Sequence, residues 1–131
     1  MKIAIVGTSH LTDKEKARAA NAIESIFNEN PDAEIITGDA NGIDALVLSY
    51  SGCREMTMIK ALDKKWEGKY GFKQRNIAIA EQADIIYSIA IPIKTTRCYH
   101  CSNEDHERTG GCWTKRYAID KLDKRGRTII I

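Results

Sequence analysis

Cys98, Cys101, His106 and Cys112 are spaced C-x2-C-x4-H-x5-C. A C-x2-C pair closes a small loop onto one ion, and a histidine with a more distant cysteine completes a tetrahedron. Three of the four cysteines fall within residues 98–112, which in a chain without a secretory signal favours a metal over a disulfide framework. His100 is the alternative nitrogen ligand. A Cys98–Cys101 or Cys98–Cys112 disulfide, or reduced thiols that merely pack, are the competing arrangements. Four protein ligands leave no open coordination position, so the expected ion is a structural zinc rather than a catalytic one. Lys94–Thr109 holds almost no aliphatic residue, so it cannot order itself by apolar burial and needs the ion. Residues 94–112 therefore read as a zinc-binding insertion. Its spacing is longer than a zinc knuckle's, and RNA binding is not inferred from it.

A second chemistry is anion binding at glycine turns. Glu34–Val47 reads as a β-branched strand, the turn Gly38-Asp39-Ala40-Asn41-Gly42, and a helix from Ile43 with Asp44 in its first turn. Such a junction presents free backbone N–H groups to an anion. Gly7-Thr8-Ser9-His10 follows the apolar run Lys2–Val6, and Gly110-Gly111 precedes a helix carrying Thr114. The glycines let a phosphate approach the backbone, and Thr8, Ser9 and Thr114 add hydroxyls. Asp39 and Asp44 suit ribose hydroxyls, or else cap the helix they precede. Trp66 suits a core or rim anchor, and stacking on a base is the minor alternative.

The elements that must position these residues alternate. Strands are predicted at Lys2–Val6, around Ile35, at Met56–Ile59, at Asp84–Ile91 and at Arg127–Ile131. Helices are predicted after the capping box Thr12-x-x-Glu15, ending at Asn30-Pro31, and from Ile43 to near Gly52. Two further helices follow, at Phe72–Gln82 and at Trp113–Lys124, the last stopped by Gly126. Ala61–Gly71 reads as a loop. The alternation implies one Rossmann-like α/β domain over residues 1–131, with a mostly parallel sheet of about five strands and helices on both faces. Ligands of such sheets bind beyond the C-terminal strand ends, where all three glycine turns fall.

The chain has 131 residues, 43% apolar and 29% charged, with a formal net charge of +2. That describes an ordinary folded domain, and the charge is too near zero to imply a polyanion partner. Met1–Val6 is too short for a signal peptide and no apolar run would span a bilayer, so a cytoplasmic location without a membrane partner is expected.

The motifs taken in order resemble a family. They run Gly7-Thr8-Ser9, Gly38-Asp39-Ala40-Asn41-Gly42-Ile43-Asp44, Trp66, Tyr70-Gly71, Arg75-Asn76 and Gly110-Gly111. This order is similar to that of the SLOG superfamily of Rossmann-like proteins, most closely its small YspA-like members, with LOG-type enzymes and DprA-like proteins as related branches. The resemblance implies a nucleotide or nucleotide-like ligand, bound for sensing or processing. It adds Arg75 and Asn76 to the expected ligand site, Arg75 as a bidentate phosphate grip. Two departures matter. Thr8-Ser9 stands where the family has Ser-Arg, and Tyr117 stands where LOG-type nucleotide-releasing enzymes have a glutamate. The phosphoribohydrolase reaction therefore does not carry over, and enzymatic activity stays open.

The leading expectation is thus a small-molecule, nucleotide-type binding protein with a structural zinc. The second is a nucleic-acid-binding protein using Lys94, Arg97, Tyr99, His100 and Arg108, although Glu104, Asp105 and Glu107 dilute that patch. A nucleotide-processing hydrolase ranks third.

Overall fold

A computed structural model describes residues 1–101 and 105–131. Residues 102–104 of the predicted insertion, Glu104 of its acidic set among them, lie outside the described residues. The elements in chain order are β1 (Lys2–Gly7), α1 (Asp13–Glu29), β2 (Glu34–Gly38), α2 (Ile43–Leu48), β3 (Met56–Ile59), α3 (Phe72–Gln82), β4 (Ile85–Ala90), α4 (Gly110–Leu122) and β5 (Arg125–Ile130). Every strand pair is parallel, in the order β3-β2-β1-β4-β5. The chain winds outward from β1 to β3 and then returns to lay β4 on the other side of β1. The strand order therefore reverses between β1 and β4, which is where ligands of open α/β sheets lodge.

Alternation along the central strands assigns side chains to two cores. Ile3, Ile5 and Ile35 face α1 and α2, packing with Ile23, Ile26, Ile43 and Val47. Ala4, Val6, Ile36 and Ile86 face α3 and α4, packing with Ile79, Ala80 and Ala118. Both faces of the sheet are covered, which is why the inner strands are apolar throughout.

Local chemistry sets the helix ends. Thr12 Oγ1 accepts the Glu15 N–H at 3.2 Å and Glu15 Oε1 accepts the Thr12 N–H at 2.9 Å, completing the predicted capping box. The fourth helix departs from expectation at both ends. It begins at Gly110 rather than Trp113, because Thr109 Oγ1 accepts the Gly111 N–H at 3.0 Å and supplies a cap. It is stopped not by Gly126 but by Asp123, which takes the left-handed conformation at φ 55°. The Lys124 N–H then donates back to the Ala118 carbonyl at 3.0 Å. Gly126 instead lies in β5, where a side chain would strike Lys115.

Candidate metal centre and adjoining cleft

Cys98, Cys101, His106 and Cys112 come together as a buried group whose donor atoms all lie within 4.8 Å of one another. A tetrahedral ion with three sulfur ligands and one nitrogen wants its donors about 3.5–3.8 Å apart, so small side-chain rotations close the shell. Cys112 Sγ and His106 Nε2 are already 3.8 Å apart. His106 Nδ1 lies 2.9 Å from the Glu107 carbonyl. A carbonyl only accepts, so Nδ1 carries the proton and Nε2 turns its lone pair to the sulfurs. His106 is 0% exposed. His100 sits on the cleft side instead, its ring 4.1 Å from that of Tyr99, so the choice left open between the two histidines falls to His106. All four cysteines are free, with Cys53 exposed elsewhere on the surface, and neither alternative disulfide is formed.

A second set of groups serves the sulfurs. The His100 N–H donates to Cys98 Sγ at 3.4 Å. Ser88 Oγ lies 3.2 Å from Cys112 Sγ. The Lys115 ammonium donates to Cys101 Sγ at 3.0 Å and also to Thr128 Oγ1. Burial pushes the Cys101 thiol up, but hydrogen bonds from Thr128, Lys115 and His106 together with the Lys115 charge outweigh it and hold it at about 6. At Cys112 burial, with the neighbouring Cys101 and Cys98 thiolate charges, outweighs the Ser88 hydrogen bond and pushes the thiol up to about 12. The arrangement suits a cation, which would deprotonate the remaining thiols. Sequence reasoning missed Ser88, Lys115 and Thr128. Nothing local marks them, because only the packing of β4, α4 and β5 brings them to the cysteines.

Beside this group, at the C-terminal strand ends, lies a cleft of about 1180 Å³. Every ligand residue expected from the sequence except Gly38 and Gly42 lines it. Gly7, Thr8 and Ser9 come from the β1–α1 loop, and Asp39 from the β2–α2 turn. Asp44 projects from α2, Arg75 and Asn76 from α3, and Gly110, Gly111 and Thr114 from the start of α4. Gly38 and Gly42 stand behind the wall as packing positions. A side chain at Gly38 would meet Asp44 Oδ2 at 2.5 Å. Gly42, at φ 70°, packs so closely on the β1–α1 loop that a Cβ would lie 2.2 Å from the Thr8 carbonyl. Gly111 is also a close-approach glycine, since its Cβ would fall 2.9 Å from the Gly7 backbone, whereas Gly110 faces open space. Absence of side chains at Gly42 and Gly111 thus lets two junctions pack closely, and at Gly38 it makes room for the Asp44 carboxyl.

The polar residues are not equally free. Arg75 Nη1 donates to Asp39 Oδ1 at 2.8 Å, and Nε and Nη2 donate to Asn76 Oδ1 at 3.2 and 3.1 Å. The fork expected to grip a phosphate is therefore held by Asp39 and Asn76, and Arg75 supports the wall as well as facing the cleft. Asp44 Oδ2 accepts the Ala40 N–H at 3.2 Å, which braces the β2–α2 turn rather than capping α2, whose start has no side-chain cap hydrogen bond. Burial raises its carboxyl to about 7, against the Ala40 hydrogen bond and the Arg75 charge. Thr114 Oγ1 donates to the Gly110 carbonyl at 3.1 Å. Thr8 Oγ1 alone is a buried side-chain polar atom with no partner among the described residues.

Aromatic side chains also line the cleft. Trp66 meets Trp113 edge to face, with centroids 4.9 Å apart, and Tyr99 adds an exposed ring. Trp66 is 39% exposed, a rim anchor as expected. Tyr117 is stacked on Trp113 at 5.4 Å and is not part of the cleft lining. Lys94, Thr95, Tyr99, His100, Glu107 and Arg108 of the insertion complete the wall.

Fold and site together define a Rossmann-like α/β domain with a buried group of three cysteines and a histidine, able to hold a metal ion, beside a cleft at the sheet's topological switch point. Comparison with protein-family models, curated proteins and solved structures found no match. Among the described residues no helix is long and apolar enough to cross a membrane.

Proposed function

We propose that this chain binds a nucleotide or nucleotide-derived small molecule in the cleft and holds a structural zinc ion in the cysteine–histidine group. The observation that carries the ligand reading is the Thr8 hydroxyl, 6% exposed as a residue, lining the cleft and unpartnered. A buried hydroxyl without a hydrogen bond is costly, and a rotation of the Thr8 side chain toward the cleft would let a ligand oxygen satisfy it. The capped start of α4 opens on the same space and favours a negative group there. The Trp66 and Trp113 rings, which line the same cleft, suit a planar heterocycle. The SLOG-like order of motifs agrees with a ligand that carries both a negative group and a ring.

Two basic side chains of the insertion are already engaged. Lys94 pairs with Glu15 at 2.9 Å and Arg97 pairs with Asp105, which favours a small ligand over a nucleic acid. Tyr117, in place of a catalytic glutamate and outside the cleft lining, favours binding over hydrolysis.

For the ion, the buried charges support a divalent cation. Three thiolates offset by the Lys115 ammonium leave a charge of about −2, which a divalent cation neutralises. A tetrahedral donor set of three sulfurs and one nitrogen favours zinc among the common divalent ions. Zinc bound there would cross-link the insertion to α4 and fix the orientation of His106, without a free position for chemistry.

Elemental analysis should find about one zinc per chain, lost in Cys101→Ala. Calorimetric titration should show AMP binding that inorganic phosphate competes away. Zinc-free purified protein of full stability overturns the metal reading, and absence of any AMP or phosphate binding overturns the ligand reading.

A further inference from the structure

The cysteine–histidine group and the cleft share one wall. From residue 92 to residue 108, the buried side chains among the described residues are Cys98, Cys101 and His106 alone. Their chain neighbours point the other way: Tyr99 and His100 beside the first pair, and Glu107 and Arg108 beside His106, all line the cleft. Each residue that would hold the ion thus carries a cleft residue next to it. No aliphatic side chain of this segment is buried to do the same work.

Backbone bonds join the two described arms to each other more than to the domain. The Cys98 N–H donates to the His106 carbonyl at 2.9 Å and the Arg108 N–H donates to the Thr96 carbonyl at 2.8 Å. Glu107 accepts the N–H groups of Lys94, Thr95 and Thr96 at 2.7–3.1 Å, closing the base of the same hairpin. Among the described residues the ties to the body of the fold are few. The Glu107 N–H reaches the Ile91 carbonyl at 2.9 Å, Lys94 reaches Glu15, and the sulfur and imidazole donors meet Cys112, Lys115 and Thr128. An ion held by Cys98, Cys101 and His106 on one side and by Cys112 of α4 on the other would be the main cross-link between hairpin and domain.

We propose that occupancy of the cysteine–histidine group controls ligand binding: the metal builds the insertion wall of the cleft, so metal and ligand bind with positive cooperativity. The nucleotide reading above enters only the affinity arm of this inference. Without the ion, the arms 94–101 and 105–109 lose their anchor, while the two apolar cores, which contain none of these residues, keep the sheet and helices folded. A cleft whose wall is assembled for only a fraction of the time binds more weakly by that fraction. By linkage, ligand then tightens the metal by the same factor.

The test uses the full chain, zinc-loaded or stripped by a chelator. Three readouts apply: hydrogen exchange, the fluorescence of Trp66 and Trp113, which are the two tryptophans of the chain, and AMP titration. Stripping should speed exchange at least about tenfold in 94–101 and 105–109, leave β1 and β4 protected, shift the tryptophan emission and weaken AMP about tenfold or more. Saturating AMP should slow zinc transfer to the chelator correspondingly. His106→Cys, which keeps four ligands, should preserve all of this, and His106→Ala should behave as the stripped protein. Unchanged exchange in both arms overturns the proposal, as does AMP affinity equal within about twofold in the two states. So does loss of protection throughout the domain on stripping, since the metal would then hold up the whole fold. A chain that binds AMP in neither state removes the nucleotide reading, and the exchange and fluorescence data then decide by themselves whether the metal builds the wall.

Discussion

Replacing Thr8 by valine separates a ligand-facing hydroxyl from a structural one. The two side chains are nearly isosteric and both are β-branched, so the local backbone preference is retained. The backbone anchors of Thr8 do not involve its side chain: its N–H donates to the Ile89 carbonyl at 3.1 Å, and its carbonyl accepts the Ile43 N–H at 2.9 Å. Oγ1 is buried without a partner, and leaving such a group unsatisfied costs about 1–3 kcal/mol. Thr8→Val should therefore leave the ligand-free protein as stable as the parent, or raise its unfolding free energy by about 1 kcal/mol, read by urea denaturation at unchanged m-value. In the ligand complex the sign reverses. A hydroxyl donating to a phosphate or carboxylate oxygen contributes about 1.5–3 kcal/mol, so AMP affinity should fall about tenfold to a hundredfold. Destabilisation of the free protein by about 1 kcal/mol or more would refute the reasoning, because the hydroxyl would then have a partner within the fold. A stabilised variant with unchanged AMP affinity would move the ligand away from Thr8.

The two glycines at the start of α4 should part company. Gly111→Ala places a Cβ 2.9 Å from the Gly7 backbone and should cost about 2–3 kcal/mol of unfolding free energy, whereas Gly110→Ala meets open space and should be neutral or slightly stabilising in the same urea assay. Asp44, raised from an ordinary 3.8 to about 7 by burial, holds its proton in the folded state after the unfolded chain has released it. Its contribution therefore lowers stability as pH climbs from about 4 to 7, by up to about 4 kcal/mol, and is constant above that. Asp44→Asn should remove this slope and be more stable than the parent at about pH 8 but not at about pH 4. Equal denaturation midpoints of the two proteins across that range would show that the carboxylate is ionised and compensated in the fold.

The alternation of strands and helices, the capping box at Thr12 and the limits of Phe72–Gln82 were all legible in the sequence. They depend on residues within a turn or two of one another, and period and propensity report such interactions directly. The same is true of the Cys/His spacing, because ligands on one short loop must close on one ion whatever surrounds them. The end of α4 was misjudged for a local reason: asparagine and aspartate also tolerate the left-handed conformation, so Asp123 stopped the helix ahead of Gly126. What only the tertiary structure decided involves residues far apart in the chain. His106 rather than His100 joins the cysteines because residues 96–98 and 106–108 pair as a hairpin that turns one ring inward and the other toward the cleft. Lys115 and Thr128 reach Cys101 because β5 lies beside β4 beneath α4. Arg75 is held by Asp39, and Gly111 is pressed on Gly7, because the reversal of strand order at β1 and β4 brings four separate junctions to one edge of the sheet. Spacing along a chain specifies which groups can share a loop. Only the packing of the sheet and its helices specifies which of them a buried sulfur, carboxylate or hydroxyl will meet.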